Sequence, residues 1–255
     1  MKDNVKMYRL STNLFFPVFG TEIKPLNMKR SIIFLVALSV LFIRQLSAQS
    51  LESIVDKIDS LRNAEKYVEA LDLVNKEIPR FADDWTLSLR KAHILGDLDR
   101  YEEAIKIFDR YLNENPDDAS NLGFRAIMKY WAKDYKGALA DYDLSLKLDW
   151  SNPIVFYYRG NLKYNRKDYE GAKSDYLRAI DIDATYYQAC YKLAKVYYEQ
   201  KEFDSAIIYF NKELAIFPGH KQAIYERSFS RLSTRDYKGA LQDAKSLINK
   251  GEEDK

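Results

Sequence analysis

Side chains able to do covalent or metal chemistry are few. One cysteine, Cys190, and two histidines, His93 and His220, occur in 255 residues. A lone thiol excludes an intrachain disulfide framework and a zinc site built on Cys pairs, and two histidines cannot make a multi-histidine centre. No Gly-rich phosphate loop, nucleophile elbow or His-Glu-x-x-His stretch is present. No catalytic residue, cofactor or metal is therefore expected. Cys190 falls on an apolar stripe and reads as a small buried hydrophobe. Asp83, Asp84, Asp117 and Asp118 lie between apolar runs, where Asp caps helices. What the chain does offer is ion pairing and aromatic contact. Arg125, Arg159 and Arg227 are each followed sixteen residues later by an acid, Asp141, Asp175 and Asp243, and tyrosines recur at fixed intervals.

Those intervals belong to a period of 34. Windows starting at Leu51, Trp85, Ala119, Pro153, Tyr187 and Lys221 align without a gap, giving repeats 51–84, 85–118, 119–152, 153–186, 187–220 and 221–255. Slot 20 of every window is alanine: Ala70, Ala104, Ala138, Ala172, Ala206 and Ala240. Slot 17 is always aromatic, from Tyr67 to Tyr237. Slot 8 is small in five windows, with Ile58 the exception, and slot 24 is large and apolar in five. Spacings of three and four within each half-window make two helical stripes separated by a polar turn. Small residues on both stripes let the two backbones approach, and the slot 17 ring is expected to wedge between them. Pro116 and Pro218 end second helices, and Asn152-Pro153 starts a first one. Few Gly (9) and Pro (6) also argue against an all-β fold.

The paired Arg and Asp appear together in three windows, the same three that carry Gly at slot 19: Gly137, Gly171 and Gly239. In the fifth window both positions change together, to Leu193 and Tyr209. Sites that change together touch, so these are expected to be structural ion pairs joining first helix to second.

A 34-residue helical hairpin with these columns resembles the tetratricopeptide repeat family over 51–255. The resemblance implies an all-α, right-handed α-solenoid of six helix–turn–helix hairpins acting as a non-enzymatic interaction scaffold. Its first helices would line a concave groove. Slots 2, 5, 9, 12 and 13 are expected to face that groove, which nominates Tyr130, Trp131, Tyr157, Asn161, Tyr164, Tyr191, Lys195, Tyr198, Tyr225 and Phe229 as binding residues. Tyrosine suits such a surface because it brings large contact area at little rotamer cost. The competing expectation is that the tyrosines pack against one another. Only Asn161 and Lys195 suit the carboxylate grip of some members, so that activity is not carried over. Glu52, Asp59 and Asp97 near His93 suggest a basic ligand end toward the first window. A protein or peptide ligand is the expected partner; a glycan or peptide cargo is the alternative.

Ahead of the repeats, Lys29-Arg30 precede thirteen uncharged, mostly apolar residues, Ser31–Ile43, and Ala48 closes the stretch. Thirteen are too few to span a bilayer, which takes about 20, and they fit a signal peptide at 28–48. Cleavage after Ala48 would release 49–255 to the periplasm or beyond, with no stable membrane span; an uncleaved segment would instead anchor it to the inner membrane. Residues 1–27 are read as a disordered, extended gene start before Met28. The first 48 residues hold seven Lys/Arg and two Asp/Glu, so the chain's 40 basic and 38 acidic residues become 33 and 36, net −3. A mildly acidic remainder gives no reason to expect nucleic acid. The oligomeric state is not readable.

Overall fold

A computed structural model describes residues 25–82 and 84–253. Residues 1–24 lie outside the described residues, and with them most of the stretch read as a disordered gene start. The chain divides at Ser60/Leu61 into two units. Helix α1 (Pro25–Asn63) begins in the first, so Pro25–Asn27 are helical, contrary to the expectation for 1–27. Proline is at home at a helix start, where its missing N–H costs nothing. Along α1, Ile33, Phe34, Val36 and Leu38 are all exposed, so these apolar side chains add nothing to a core. No helix among the described residues is long and apolar enough to cross a membrane.

The second unit opens with the last residues of α1 and continues through α2 (Tyr67–Glu77), a 3-10 turn (Ile78–Phe81), α3 (Trp85–Asp97), α4 (Tyr101–Glu114), α5 (Ala119–Trp131) and α6 (Tyr135–Leu148). It then runs through α7 (Pro153–Asn165), α8 (Tyr169–Ile182), α9 (Tyr187–Glu199), α10 (Phe203–Ile216), α11 (Lys221–Ser233) and α12 (Tyr237–Glu253). Helices α3 to α12 form five successive hairpins, and each second helix packs on the first helix of the next hairpin.

One turn geometry serves all of them. Glu65, Asp99, Lys133, Lys167, Lys201 and Arg235 are the non-glycine residues with positive φ among those described, and all occupy slot 15. The next amide donates back to slot 11, as in Asp134 N–H to the Lys129 carbonyl at 2.9 Å. This closes the first helix as a Schellman motif. In three windows the following Asp caps the second helix: Asp134, Asp168 and Asp236 accept from the amides of Gly137, Gly171 and Gly239 at 2.9, 3.0 and 2.9 Å. A Cβ on any of these glycines would sit 2.1–2.2 Å from the capping carboxylate. The slot 19 glycine therefore answers to the Asp at slot 16, not to the Arg–Asp pair with which it coincides.

The small columns do what their spacing implies. Ala92, Ala126 and Ala194 of the first helices are fully buried, as are Ala104, Ala138, Ala172 and Ala206 of the second. At Gly160 there is no room even for alanine: a Cβ there would meet the Tyr176 ring at 2.7 Å. Slot 24 supplies the large core groups Phe108, Tyr142, Tyr176 and Phe210, each 0% exposed, and burying such a ring stabilises by about 1.5–3 kcal/mol. The slot 17 ring is not the sealed wedge expected. Tyr135 and Tyr237 are exposed, and the ring instead stands edge-on to slot 12: Tyr130–Tyr135, Tyr164–Tyr169 and Tyr198–Phe203 at 5.8, 5.7 and 5.7 Å.

The three ion pairs are present and larger than pairs. Arg125 places Nε and Nη2 on Asp141 at 2.7 and 2.8 Å and Nη1 on Asp109 of the preceding hairpin at 2.9 Å. Arg159 does the same with Asp175 and Asp143, and Arg227 with Asp243 and Asn211. A second cation, Lys129, Lys163 or Arg231, reaches each buried acid at 2.8 Å. Each Arg thus ties its own second helix to the previous one. Where the chain has Leu193, the preceding residue that would face it is Leu177, and Tyr209 stacks on Tyr197 at 5.5 Å. An apolar and aromatic stack replaces the whole charged set.

Candidate functional site

Neighbouring first helices are joined by contacts 35 residues apart. The Arg62 guanidinium grips Asp97, with Nη2 to Oδ1 at 3.1 Å; Asn165 Nδ2 donates to the Tyr130 hydroxyl at 2.9 Å; Tyr164 reaches Glu199 at 3.5 Å; Tyr191 reaches Glu226 at 3.3 Å. A side chain at slot 5 or 12 therefore meets slot 6 or 13 of the next hairpin. That geometry decides where the nominated residues fall.

Tyr157 is only 8% exposed and sits edge-on to Tyr158 and Tyr186. Asn161 is 9% exposed and accepts the Tyr176 hydroxyl at 2.8 Å. Neither presents a binding group, which corrects the expectation for both. Tyr130, Tyr164, Tyr191 and Tyr198 are half-buried in the junctions between hairpins. Burial, then the Glu199 charge, pushes the Tyr164 hydroxyl up to about 12. Lys195 is held by Glu226 at 3.3 Å. Tyr225 and Phe229 are exposed, but on the outward face of the last hairpin. Asp97 is committed to Arg62, so it offers no free carboxylate for a basic ligand end.

Of the ten, Trp131 borders a shallow recess between neighbouring hairpins. It is 49% exposed and borders a cavity of 270 Å³ with Phe124, Tyr101, Tyr158, His93 and Ile154. Tyr101 stacks on the indole at 6.4 Å and 20° between planes, and Tyr158 lines the same cavity. Phe124 stands edge-on to His93 at 4.3 Å. The Tyr101 hydroxyl bonds to Asp99, which with burial pushes it up to about 12 and fixes the ring. The arrangement is a largely aromatic recess bordered by the Arg62–Asp97 ion pair, with room for one bulky apolar side chain. Burial also pushes the Cys190 thiol up to about 11, which fits a core residue rather than a nucleophile. Among the described residues no group of His, Cys, Asp and Glu could hold a metal ion.

Recess residues missed from the sequence are Phe124 and Tyr158 at slot 6, where residue type varies from window to window so that no column announced them, and Tyr101 at slot 17, which was expected to wedge in the turn; Ile154 lies at slot 2, a slot assigned to the groove, but was not nominated.

Stacked helical hairpins define a helical-repeat protein. Tetratricopeptide repeat models match residues 89–153, 155–186 and 187–220. The chain belongs to the tetratricopeptide repeat family, with the all-α solenoid expected of it. No curated protein matches it in sequence. Among solved structures it is similar to the MamA protein at 21% identity and TM-score 0.59, over 66% of this chain and 91% of that one. It is also similar to YrrB, described as a TPR protein with an unusual peptide-binding site, at 19% identity and TM-score 0.57, over 69% and 91%. A repeat protein from Parabacteroides merdae matches at 17% identity and TM-score 0.60, over 79% and 80%. At these identities the likeness shows the fold.

Proposed function

We propose that the chain is a non-enzymatic scaffold that binds an extended peptide or protein segment in its concave groove, anchored by one bulky apolar side chain in the recess at Trp131. The observation that carries this reading is the exposed indole: a large ring left half in solvent, packed by Tyr101 and Tyr130, above a cavity of 270 Å³. A peptide-binding member of the family among the similar structures supports it. Selection of peptides against the full chain should enrich Leu, Phe or Trp at one position, and Trp131→Ala should weaken the best of them at least tenfold with helicity unchanged. Equal affinity in that variant refutes the anchor.

The segment 28–48 is proposed to direct export and to be removed after Ala48, leaving the repeats in the periplasm or outside the cell. Exposure of Ile33, Phe34, Val36 and Leu38 supports this, since these side chains of the apolar run pack on no core. Mass spectrometry should find a mature terminus at Gln49; an exported chain still carrying Met28 overturns it.

A further inference from the structure

The recess at Trp131 lies beside an interrupted column. Slot 12 holds Tyr130, Tyr164 and Tyr198 in the third to fifth windows, Arg62 in the first and Leu232 in the sixth, but Gly96 in the second. The backbone does not call for glycine there. Gly96 lies within α3 and has no positive φ; the left-handed position of this turn is Asp99. Glycine inside a helix weakens it. What Gly96 supplies is the lack of a side chain, and it lines the recess.

Two contacts of the column locate the ring that is missing. In the third to fifth windows the slot 12 ring stands edge-on to the slot 17 ring of its own hairpin. Its hydroxyl end meets slot 13 of the next hairpin, as Tyr130 meets Asn165 and Tyr164 meets Glu199. Carried to Gly96, those two partners are Tyr101 and Trp131, and both line the recess. With no ring between them, Tyr101 lies nearly parallel to the indole, at 20° between planes. One flexible group reaches into the vacated space: a Cβ on Gly96 would meet Sδ and Cε of Met128 at 2.7 and 2.9 Å. An unbranched thioether can swing aside and then pack against an aromatic edge.

We propose that the recess takes a phenylalanine or tyrosine side chain of the bound segment, its ring standing where the slot 12 tyrosine of the next three hairpins stands, and that Gly96 sets this preference with Met128 as a movable floor. The inference rests on the anchoring role given to the recess above and names the class of side chain that enters it. A ring can stand edge-on to Tyr101, as the chain's own rings do at the equivalent places. A leucine of similar bulk fills the space without that contact.

The probes are three capped tripeptides, acetyl-Gly-Phe-Gly-amide and its Tyr and Leu counterparts, titrated into the full chain isotope-labelled at its methionine methyl groups and followed by NMR. Met128 is the one methionine after Met28, and Met128→Leu identifies its resonance. The Phe and Tyr peptides should move that resonance and bind at least fivefold more tightly than the Leu peptide. Gly96→Tyr, which restores the column, and Gly96→Leu, which copies Leu232, should each lose Phe-peptide binding at least tenfold with helicity kept. Gly96→Tyr should also move the Met128 resonance with no peptide present. The preference in the parent chain needs no variant, so it decides the matter even where a variant fails to fold. Equal affinity for the Phe and Leu peptides, with both lost in Trp131→Ala, overturns this inference and leaves the anchor standing. A folded Gly96→Tyr that binds the Phe peptide as before overturns it too, since the ring position then lies outside the recess. A Met128 resonance that no peptide moves, or binding that Trp131→Ala leaves intact, overturns the anchor and this inference together.

Discussion

Two tyrosines at the same slot make opposite predictions. Tyr142 and Tyr176 are both fully buried, and burial raises both hydroxyls well above the ordinary tyrosine range. They differ in what the hydroxyl meets. That of Tyr176 donates to Asn161 Oδ1 at 2.8 Å; that of Tyr142 has no hydrogen-bond partner among the described residues, the slot 9 residue of its own hairpin being Ile127. Phe108 and Phe210 show that phenylalanine fits the slot. Tyr176→Phe removes a donor and strands a buried amide oxygen, costing about 1–3 kcal/mol. Tyr142→Phe removes a buried hydroxyl that bonds to nothing, so it should be neutral or stabilise by up to about 1 kcal/mol. At about 2–4 °C per kcal/mol for a domain of this size, the two variants should straddle the parent melting temperature. Adding Asn161→Ile to Tyr176→Phe imitates the Ile127/Tyr142 hairpin without its hydroxyl and should recover most of the loss. The assay is thermal and urea denaturation followed by circular dichroism, comparing midpoints because a repeat array need not unfold in two states. Two equal losses, or no recovery in the double variant, would refute the reasoning.

The triple ion sites predict a contrast across one guanidinium. Asp175→Asn leaves Arg159 and Lys163 without their buried counter-charge and should cost about 3 kcal/mol, while Asp143→Asn, at the solvent end of the same Arg159, should cost under about 1 kcal/mol; equal shifts in urea midpoint would sink the distinction. Gly171→Ala should destabilise by about 1 kcal/mol, because the Cβ displaces the Asp168 cap, and Gly171→Ala combined with Asp168→Ala should lose little more; additive losses would show the glycine acts otherwise. Burial raises the Glu213 carboxyl against the opposing pull of His220. A raised carboxyl holds its proton more tightly when folded, so its stabilisation is full below about pH 4.3 and fades as the pH climbs toward the raised value. As the pH climbs from about 4.3 toward the raised value, Glu213→Gln should therefore gain on the parent in chemical stability, and parallel curves would contradict this.

The hairpin repeat was legible because its demands recur. Alanine at slot 20 and a small residue at slot 8 satisfy the same close approach in successive hairpins, so one sequence shows the column without an alignment. The Arg–Asp contacts were legible through their joint replacement by Leu193 and Tyr209. Two things were not. Periodicity places a residue on a stripe but does not give the rotation of one hairpin on the next, and a shift of one residue turns a helical side chain by about 100°. Slots 5 and 12 were thus assigned to the groove when they meet the following hairpin, while the recess adds Phe124 and Tyr158 from slot 6 to Ile154, His93 and Trp131 from slots 2, 9 and 13, which were assigned to it. The role of the glycine at slot 19 was not legible for a related reason. In the same three windows the aspartate at slot 16, the arginine at slot 7 and the aspartate at slot 23 occur together, as Asp168, Arg159 and Asp175 do around Gly171, and only distances separate them.

That confusion has a physical source. A residue type that recurs at one slot must satisfy the same local environment each time, and the environment shared by every hairpin is the junction with its neighbours. Recurrence of Tyr157, Tyr191 and Tyr225, or of Tyr130, Tyr164 and Tyr198, is therefore a sign of stacking, and the first two of each set are found in junctions. A recess for one ligand side chain is built once. Its residues need not resemble the same slots elsewhere, and they do not: Phe124 and Tyr158 give way to Lys192 and Glu226, and Trp131 to Asn165, Glu199 and Ser233. The same argument picks out Ala244, the exposed exception in a column of otherwise large, buried side chains. In a repeat protein the slots that break the pattern locate the surfaces built for something other than the next repeat.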